Sequence, residues 1–325
     1  MASTVYVTDA SLQAIIAVDL TTGSRSVLSS NTVPDGNNPF SNPTSIAYDP
    51  TLARLIVTDA GSDQLLAVDM TSGARSVIAD FSGLGGANDI GALDIDNANN
   101  RAIFTDTNIS ALIAVDLASG VRTVISDLTT PNASNPLSLP VDLQVDVANQ
   151  LAYLADIVEG YIQVDLSDGS RTPLPIDAGV SDGSGILWSN TLQLDTANNT
   201  LHVASRNDIF ETNITTGAIF PLAFSATPSY FNSFYEGQSL ALTDSERTVV
   251  IYDSATEELV YLDSGSGARF GSSGNPGNPP ITLSDTLNPT SIVLDGLNNR
   301  GILSPAPPSI LGPCLLYTSD AADES

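Results

Sequence analysis

One motif recurs along the chain at nearly constant spacing, and that recurrence restricts the fold more than any other feature. The segment VTDASLQAIIAVDLTTGSRSVLS begins at Val7, VTDAGSDQLLAVDMTSGARSVIA at Val57, and FTDTNISALIAVDLASGVRTVIS at Phe104. Weaker copies start at Leu154, Val203 and Ile251. An aspartate closes the first apolar run of each copy: Asp9, Asp59, Asp106, Asp156 and Asp253, with Ser205 in the fifth. A second follows at Asp19, Asp69, Asp116, Asp165 and Asp263, with Asn213 in the fifth. A glycine comes next (Gly23, Gly73, Gly120, Gly169, Gly217, Gly267), and in five copies an arginine stands two residues later (Arg25, Arg75, Arg122, Arg171, Arg269). Such a unit buries its apolar face only by stacking on its neighbours.

Each period reads as four short strands. In the second copy these are Thr44 to Asp49, Arg54 to Asp59, Gln64 to Met70, and Ala74 to Asp80. The second is a short apolar run, as in a strand buried on both faces, and the fourth alternates like a half-exposed one. The connectors DPTLA, AGSD and TSG carry turn chemistry. Four strands in a period of about 48 residues predict a β-propeller blade. The expected fold is all-β: a six-bladed β-propeller with four antiparallel strands per blade. NPTSIVLD (Asn288 to Asp295) differs from NPTSIAYD (Asn42 to Asp49) at two positions, so a C-terminal strand is expected to complete the N-terminal blade. The expected propeller spans 1–303. Blade one takes 4–30 plus 289–296, blade two 43–80, blade three 88–128, blade four 139–177, blade five 186–225 and blade six 237–272. Gly296 to Leu303 resembles the opening of a further second strand. Residues 304–325 are expected to be a non-native or disordered tail, because CLLYTSDAADE (Cys314 to Glu324) resembles a translated sequencing adapter.

A residue repeated in every unit has the same task in every unit, whereas catalysis needs one special place. The repeated aspartates are expected to accept N–H groups of the turns that follow them. The glycine fits a hairpin position with positive φ. The arginine is expected to pair across the ladder with an aspartate on the third strand. A calcium site in each blade is the functional rival, but the spacing of an EF-hand loop is absent.

The charge balance excludes several partners. The chain has 37 acidic and 10 basic residues, a net charge of −27, and every basic residue is an arginine. Nucleic acid and anionic membranes would be repelled. No apolar run is long enough for membrane insertion. The lone histidine, His202, rules out a multi-histidine metal site and is expected in the core. Cys314, in the tail, is the only cysteine. An extracellular, periplasmic or cell-surface monomer is expected, with any signal peptide missing from this chain. Pro228 to Gly237 concentrates Tyr230, Phe231, Phe234 and Tyr235 in a chain poor in aromatics, and Trp188 is the chain's single tryptophan. These five are candidate ligand-binding residues.

Tyr6 to Ser29 resembles the YWTD-type repeat of lipoprotein-receptor propellers. Tyr6, Thr8 and Asp9 match, and Val7 stands in place of the tryptophan. It is similar as well to repeats of the SMP-30/gluconolactonase/LRE-like superfamily and of NHL propellers. The gluconolactonase resemblance implies a lactone hydrolase with one divalent cation, such as calcium. Its ligands would be a glutamate, two asparagines and an aspartate near the starts of first strands. Asn88, beside Asp89, and Asp142 match two of those places, and Gln238 falls near the second asparagine. Thr44 stands near the glutamate's place. With that charge missing, no cofactor is assigned. The expected function is a non-enzymatic binding module that recognises a protein or small-molecule ligand on one ring face. A divergent metal-dependent lactonase is the alternative.

Overall fold

The computed structural model describes residues 4–19, 24–82, 90–176, 189–205 and 208–223, and the strands 240–242, 248–253, 258–263, 269–271 and 289–294. Within these residues the strands form six four-stranded antiparallel sheets. Five are each built from four consecutive strands. Blade two, for example, takes Pro43–Asp49, Arg54–Asp59, Gln64–Asp69 and Arg75–Asp80. The remaining sheet is composite. Pro289–Leu294 pairs with Thr4–Asp9 (Val7 opposite Ile292), and Ala14–Asp19 and Arg25–Ser30 follow. The inner strands of successive blades lie side by side: Pro43–Asp49, Ile90–Asp96, Pro140–Asp146 and Ser189–Asp195. Pro289–Leu294 adjoins Pro43–Asp49 as well. The chain is a β-propeller with four antiparallel strands per blade. The proposed tail and the partial repeat before it lie outside the described residues.

The core lies between the blades, which is why the second and third strands are apolar on both faces. Leu55, Ile56 and Val57 are fully buried, and so are Leu65 and Leu66 on the next strand. One cluster joins Ile56 and Leu65 of blade two to Ile90, Phe104 and Ile113 of blade three. Another joins Ile103 and Leu112 of blade three to Leu143, Leu154 and Ile162 of blade four. Each such side chain contributes roughly 1.5–3 kcal/mol by leaving water.

The repeated glycine sits where neighbouring blades touch. Gly73 has φ +72°, and a Cβ there would overlap the carbonyl oxygen of Leu28 in the preceding blade. Gly120, Gly169 and Gly217 face Ile78, Ile125 and Pro175 in the same way. Glycine is required twice over: for its backbone conformation and for the close approach.

The repeated arginine departs from the expected ladder pairing. Arg75 and Arg171 are buried and reach into the preceding connection rather than across to the third strand. The third-strand aspartates are engaged by their own turns instead. Asp69 Oδ1 accepts the N–H of Thr71 and Ser72 and the Ser72 hydroxyl, at 3.0, 2.7 and 2.8 Å. A different arginine makes the ladder ion pair: Arg54 Nε to Asp49, and Arg101 Nε to Asp96, both at 2.8 Å.

Candidate functional site

Two connections between blades, 31–42 and 127–139, are built to one plan. Pro34, Asn38 and Phe40 in the first, and Ser29 on the strand before it, correspond to Pro131, Asn135 and Leu137 in the second and Ser126 on the strand before that. Each is fixed at its far end by the buried aspartate closing the next blade's second strand. Asp59 accepts Ser41 N–H at 2.7 Å and Asn42 N–H at 2.8 Å, and also holds its own turn through Gly61 and Ser62 at 3.1 Å. Asp156 does the same with Ser138, Leu139, Val158 and Glu159.

The near end is fixed by the arginine. Arg75 donates to the carbonyls of Ser30 (2.6 Å), Asp35 (2.8 Å), Asn37 (2.7 Å) and Asn38 (2.7 Å), and to Ser29 Oγ (2.6 Å). Arg171 donates to Asp127 O (2.6 Å), Thr130 O (2.8 Å), Ser134 O (2.9 Å) and Ser126 Oγ (2.7 Å), and to Asn132 O. The amides of Asn38 and Asn135 return bonds to the Arg75 and Arg171 carbonyls, at 2.9 and 3.0 Å. The planar guanidinium suits this task because its N–H groups fan out in fixed directions. Burial lowers both arginine pKa values from the ordinary range, opposed by Asp35 for Arg75 and Asp127 for Arg171. Phe40 and Leu137 plug the core beneath, at 2% and 0% exposure, while most of the residues above them face solvent.

The inner strands carry a second polar feature. Asp94 and Asp142 each bridge two blades. Asp94 accepts Ile95 N–H at 2.7 Å and Val145 N–H of blade four at 2.8 Å. Asp142 accepts Leu143 N–H at 2.8 Å and Leu192 N–H of blade five at 2.7 Å. Inner strands are sheet edges, and these carboxylates satisfy amides that no further strand pairs. Each side chain keeps some solvent contact, yet the protein crowded around it disfavours charge. Burial pushes both carboxyls up to about 7, against the pull of their N–H donors. Beside them the Gln193 amide donates to Gln144 Oε1 at 2.9 Å. Between blades two and three the bridge is neutral: Thr44 Oγ1 donates to Ile90 O at 3.1 Å.

Of the candidate binding residues, Asp142 is described and sits in this inner wall. Asn88, Asp89, Trp188, Tyr230, Phe231, Phe234, Tyr235 and Gln238 lie outside the described residues. Among the described residues no group of three His, Cys, Asp or Glu side chains gathers to hold a metal. Asp94 was not singled out from the sequence. Its signal was a break in the repeat, an aspartate where blade two has Ala47 and blades four and five have Gln144 and Gln193. His202 is fully buried opposite Glu211 in the ladder. Its Nε2 lies 3.3 Å from Glu211 Oε2, but poor alignment makes this an electrostatic contact rather than a hydrogen bond.

Comparison with solved structures bears out the architecture. One chain of a nidogen–laminin complex superposes with a TM-score of 0.67 at 12% identity, covering 90% of this chain and 98% of that one. The extracellular domain of a hybrid two-component system from B. thetaiotaomicron superposes with a TM-score of 0.54 at 15% identity, covering 88% of this chain and 35% of that one. A second structure of that bacterial domain gives 0.55, again at 15% identity. The chain spans about a third of the bacterial chains' length. No protein-family model matches the sequence, and neither does any curated protein.

Proposed function

We propose that this propeller is a non-enzymatic binding module, six-bladed and closed by its C-terminal strand, that recognises a protein partner through the connections between blades. The observation that carries this reading is the pinning of 31–42 and 127–139 at both ends. A backbone held by a buried arginine and a buried aspartate has little freedom left to lose on binding, which favours association. The carboxylates of the inner wall, Asp94 and Asp142, are engaged in joining blades, as expected of a scaffold.

The aromatic segment belongs to the proposed surface. In sequence, Pro228 and Asn232 follow Ala223 at the offsets at which Pro34 and Asn38 follow Ser29, and Arg269 follows at the offset of Arg75. An extracellular setting is supported by the similar chain from the nidogen–laminin complex and by the bacterial extracellular domain. The test is a display selection for protein binders, scored against variants of both connections. Binders that lose affinity with Val33→Asp or Leu128→Asp are the expected result. Lactone or ester turnover that needs added calcium or zinc and vanishes in Asp142→Asn would overturn the reading in favour of the lactonase.

A further inference from the structure

The two pinned connections share a turn but differ in the chemistry open to it. Asn132 of the second corresponds to Asp35 of the first. Asn132 Oδ1 accepts Ser134 N–H at 2.8 Å, and Asp35 Oδ1 accepts Asn37 N–H at 2.8 Å. The carbonyl of each is held by the arginine, Arg171 or Arg75. Yet Asn132 carries an amide nitrogen where Asp35 carries a second oxygen, and Ser134 carries a hydroxyl that Asn37 lacks. Asn132, Ala133 and Ser134 therefore form a triplet of the kind that N-glycosylating enzymes accept.

The chain has four such Asn-x-Ser/Thr triplets, headed by Asn108, Asn132, Asn198 and Asn213. The fold leaves one of them open. Asn132, Ala133 and Ser134 are all exposed. Among the described residues, neither the Asn132 amide nitrogen nor the Ser134 hydroxyl has a hydrogen-bond partner. In the other three triplets the hydroxyl is engaged or hidden. Ser110 Oγ donates to Ser138 O at 2.8 Å, Thr215 Oγ1 accepts from the Asn199 amide at 2.9 Å, and Thr200 is buried. Two of those asparagines are committed as well. The Asn198 amide donates to Asp195 Oδ2 at 2.7 Å, and Asn213 Oδ1 accepts Thr215 and Thr216 N–H in its own turn.

We propose that Asn132 is an N-glycosylation site of the folded chain. The donor is an oligosaccharide carried on a lipid pyrophosphate, delivered by an oligosaccharyltransferase. Asn132 Nδ2 bonds to the anomeric carbon, the bond from that carbon to the pyrophosphate oxygen breaks, and the lipid pyrophosphate leaves with the electron pair. The amide gives up one proton to a base of the transferase. The product carries a bulky, hydrated group on the connection. The two connections then differ in role: 127–139 is screened, and 31–42 stays bare for a protein partner. This rests on the extracellular setting of the binding-module reading, because such transferases act outside the cytosol.

The experiment treats the folded full chain with lipid-linked oligosaccharide and a purified single-subunit oligosaccharyltransferase that needs only the triplet. Peptide mass mapping reads the occupancy. One glycan, at Asn132, is the expected product. Asn132→Gln and Ser134→Ala should each abolish it, and Ser134→Thr should keep it. Asp35→Asn combined with Asn37→Ser should add a second glycan, in the first connection. All four positions are exposed, and matching thermal melts would confirm that the variants fold. A tryptic digest, in which the fold is gone, should accept glycan at Asn108, Asn198 and Asn213 too. A bare Asn132 in the folded chain, equal occupancy of the other triplets there, no second glycan in the double variant, or a digest in which the other triplets stay bare would each overturn the inference. A bare Asn132 would still leave the binding-module reading standing, because selection of binders does not depend on the glycan.

Discussion

The seam between blades three and four and the seam between blades four and five solve one problem with different chemistry. Both bring a positive-φ glycine, Gly169 or Gly217, against a carbonyl of the preceding blade. The first is then sealed by a buried cation, with Arg171 gathering the carbonyls of 127–134. The second has Ile219 at the arginine's position, and Leu174 and Ile176 pack beside Tyr161, Leu201 and Ile214. At the inner edge both use a carboxylate, Asp94 or Asp142. The difference separates stability from display. An apolar seam holds blades together through packing alone. An arginine seam holds blades together and also sets the path of the connection above it.

The largest expected effect would break that contrast. Arg171→Ala removes a buried guanidinium and strips several half-buried carbonyls of their donor, and should cost about 3 kcal/mol. Arg171→Lys should recover only a small part, because one ammonium cannot reproduce the fork. Thermal melts check both, and Ile219→Ala at the apolar seam should cost less than Arg171→Ala.

Gly169→Ala comes next. It combines a positive φ with overlap of the Ile125 carbonyl and should cost about 2 kcal/mol or more. Gly36→Ala is the control. Its Cβ would lie 3.6 Å from Asn31 O, an ordinary contact, so its stability should change by under about 0.5 kcal/mol.

The pH dependence is a smaller effect with a definite sign. Asp94 and Asp142 titrate near 7 in the folded chain, against 3.8 as the ordinary value. The folded state therefore binds protons more tightly, and the stability this lends is fully present below about pH 4 and lost as pH rises through about 7. Denaturant melts from pH 5 to 8 should show falling stability, with a shallower slope in Asp142→Asn. A stability that rises across that range would contradict the assignment. The smallest change is expected at Asp69→Asn, where no loss should be measurable. Blade five already carries Asn213, whose Oδ1 accepts Thr215 and Thr216 N–H at 3.1 and 2.9 Å.

The propeller architecture was legible because the repeat exposes it many times over. Asp59, Gly73 and the apolar strand pattern recur, so each weak signal is reinforced by its copies. The arginine's partner was not legible. The period says that Arg75 belongs to the scaffold, but a ladder partner and a carbonyl cluster in the preceding blade are equally compatible with a repeated position. Only the close approach at Gly73 brings that connection within reach. Asp94 escaped notice for the opposite reason: it breaks the repeat instead of following it. Asp142 was singled out through a resemblance to metal-binding propellers, and the fold engages it in joining blade four to blade five.

Backbone hydrogen exchange of 127–139 in the intact chain, with and without Arg171→Ala, tests the central claim most directly. The account predicts that Thr129, Thr130, Ser138 and Leu139 amides exchange slowly in the native protein. In Arg171→Ala the first half, including Thr129 and Thr130, should lose protection, while Ser41 and Asn42 at the other corner keep theirs. Fast exchange throughout 127–139 in the native protein, or protection unchanged by Arg171→Ala, would contradict the idea that a buried arginine shapes the binding surface.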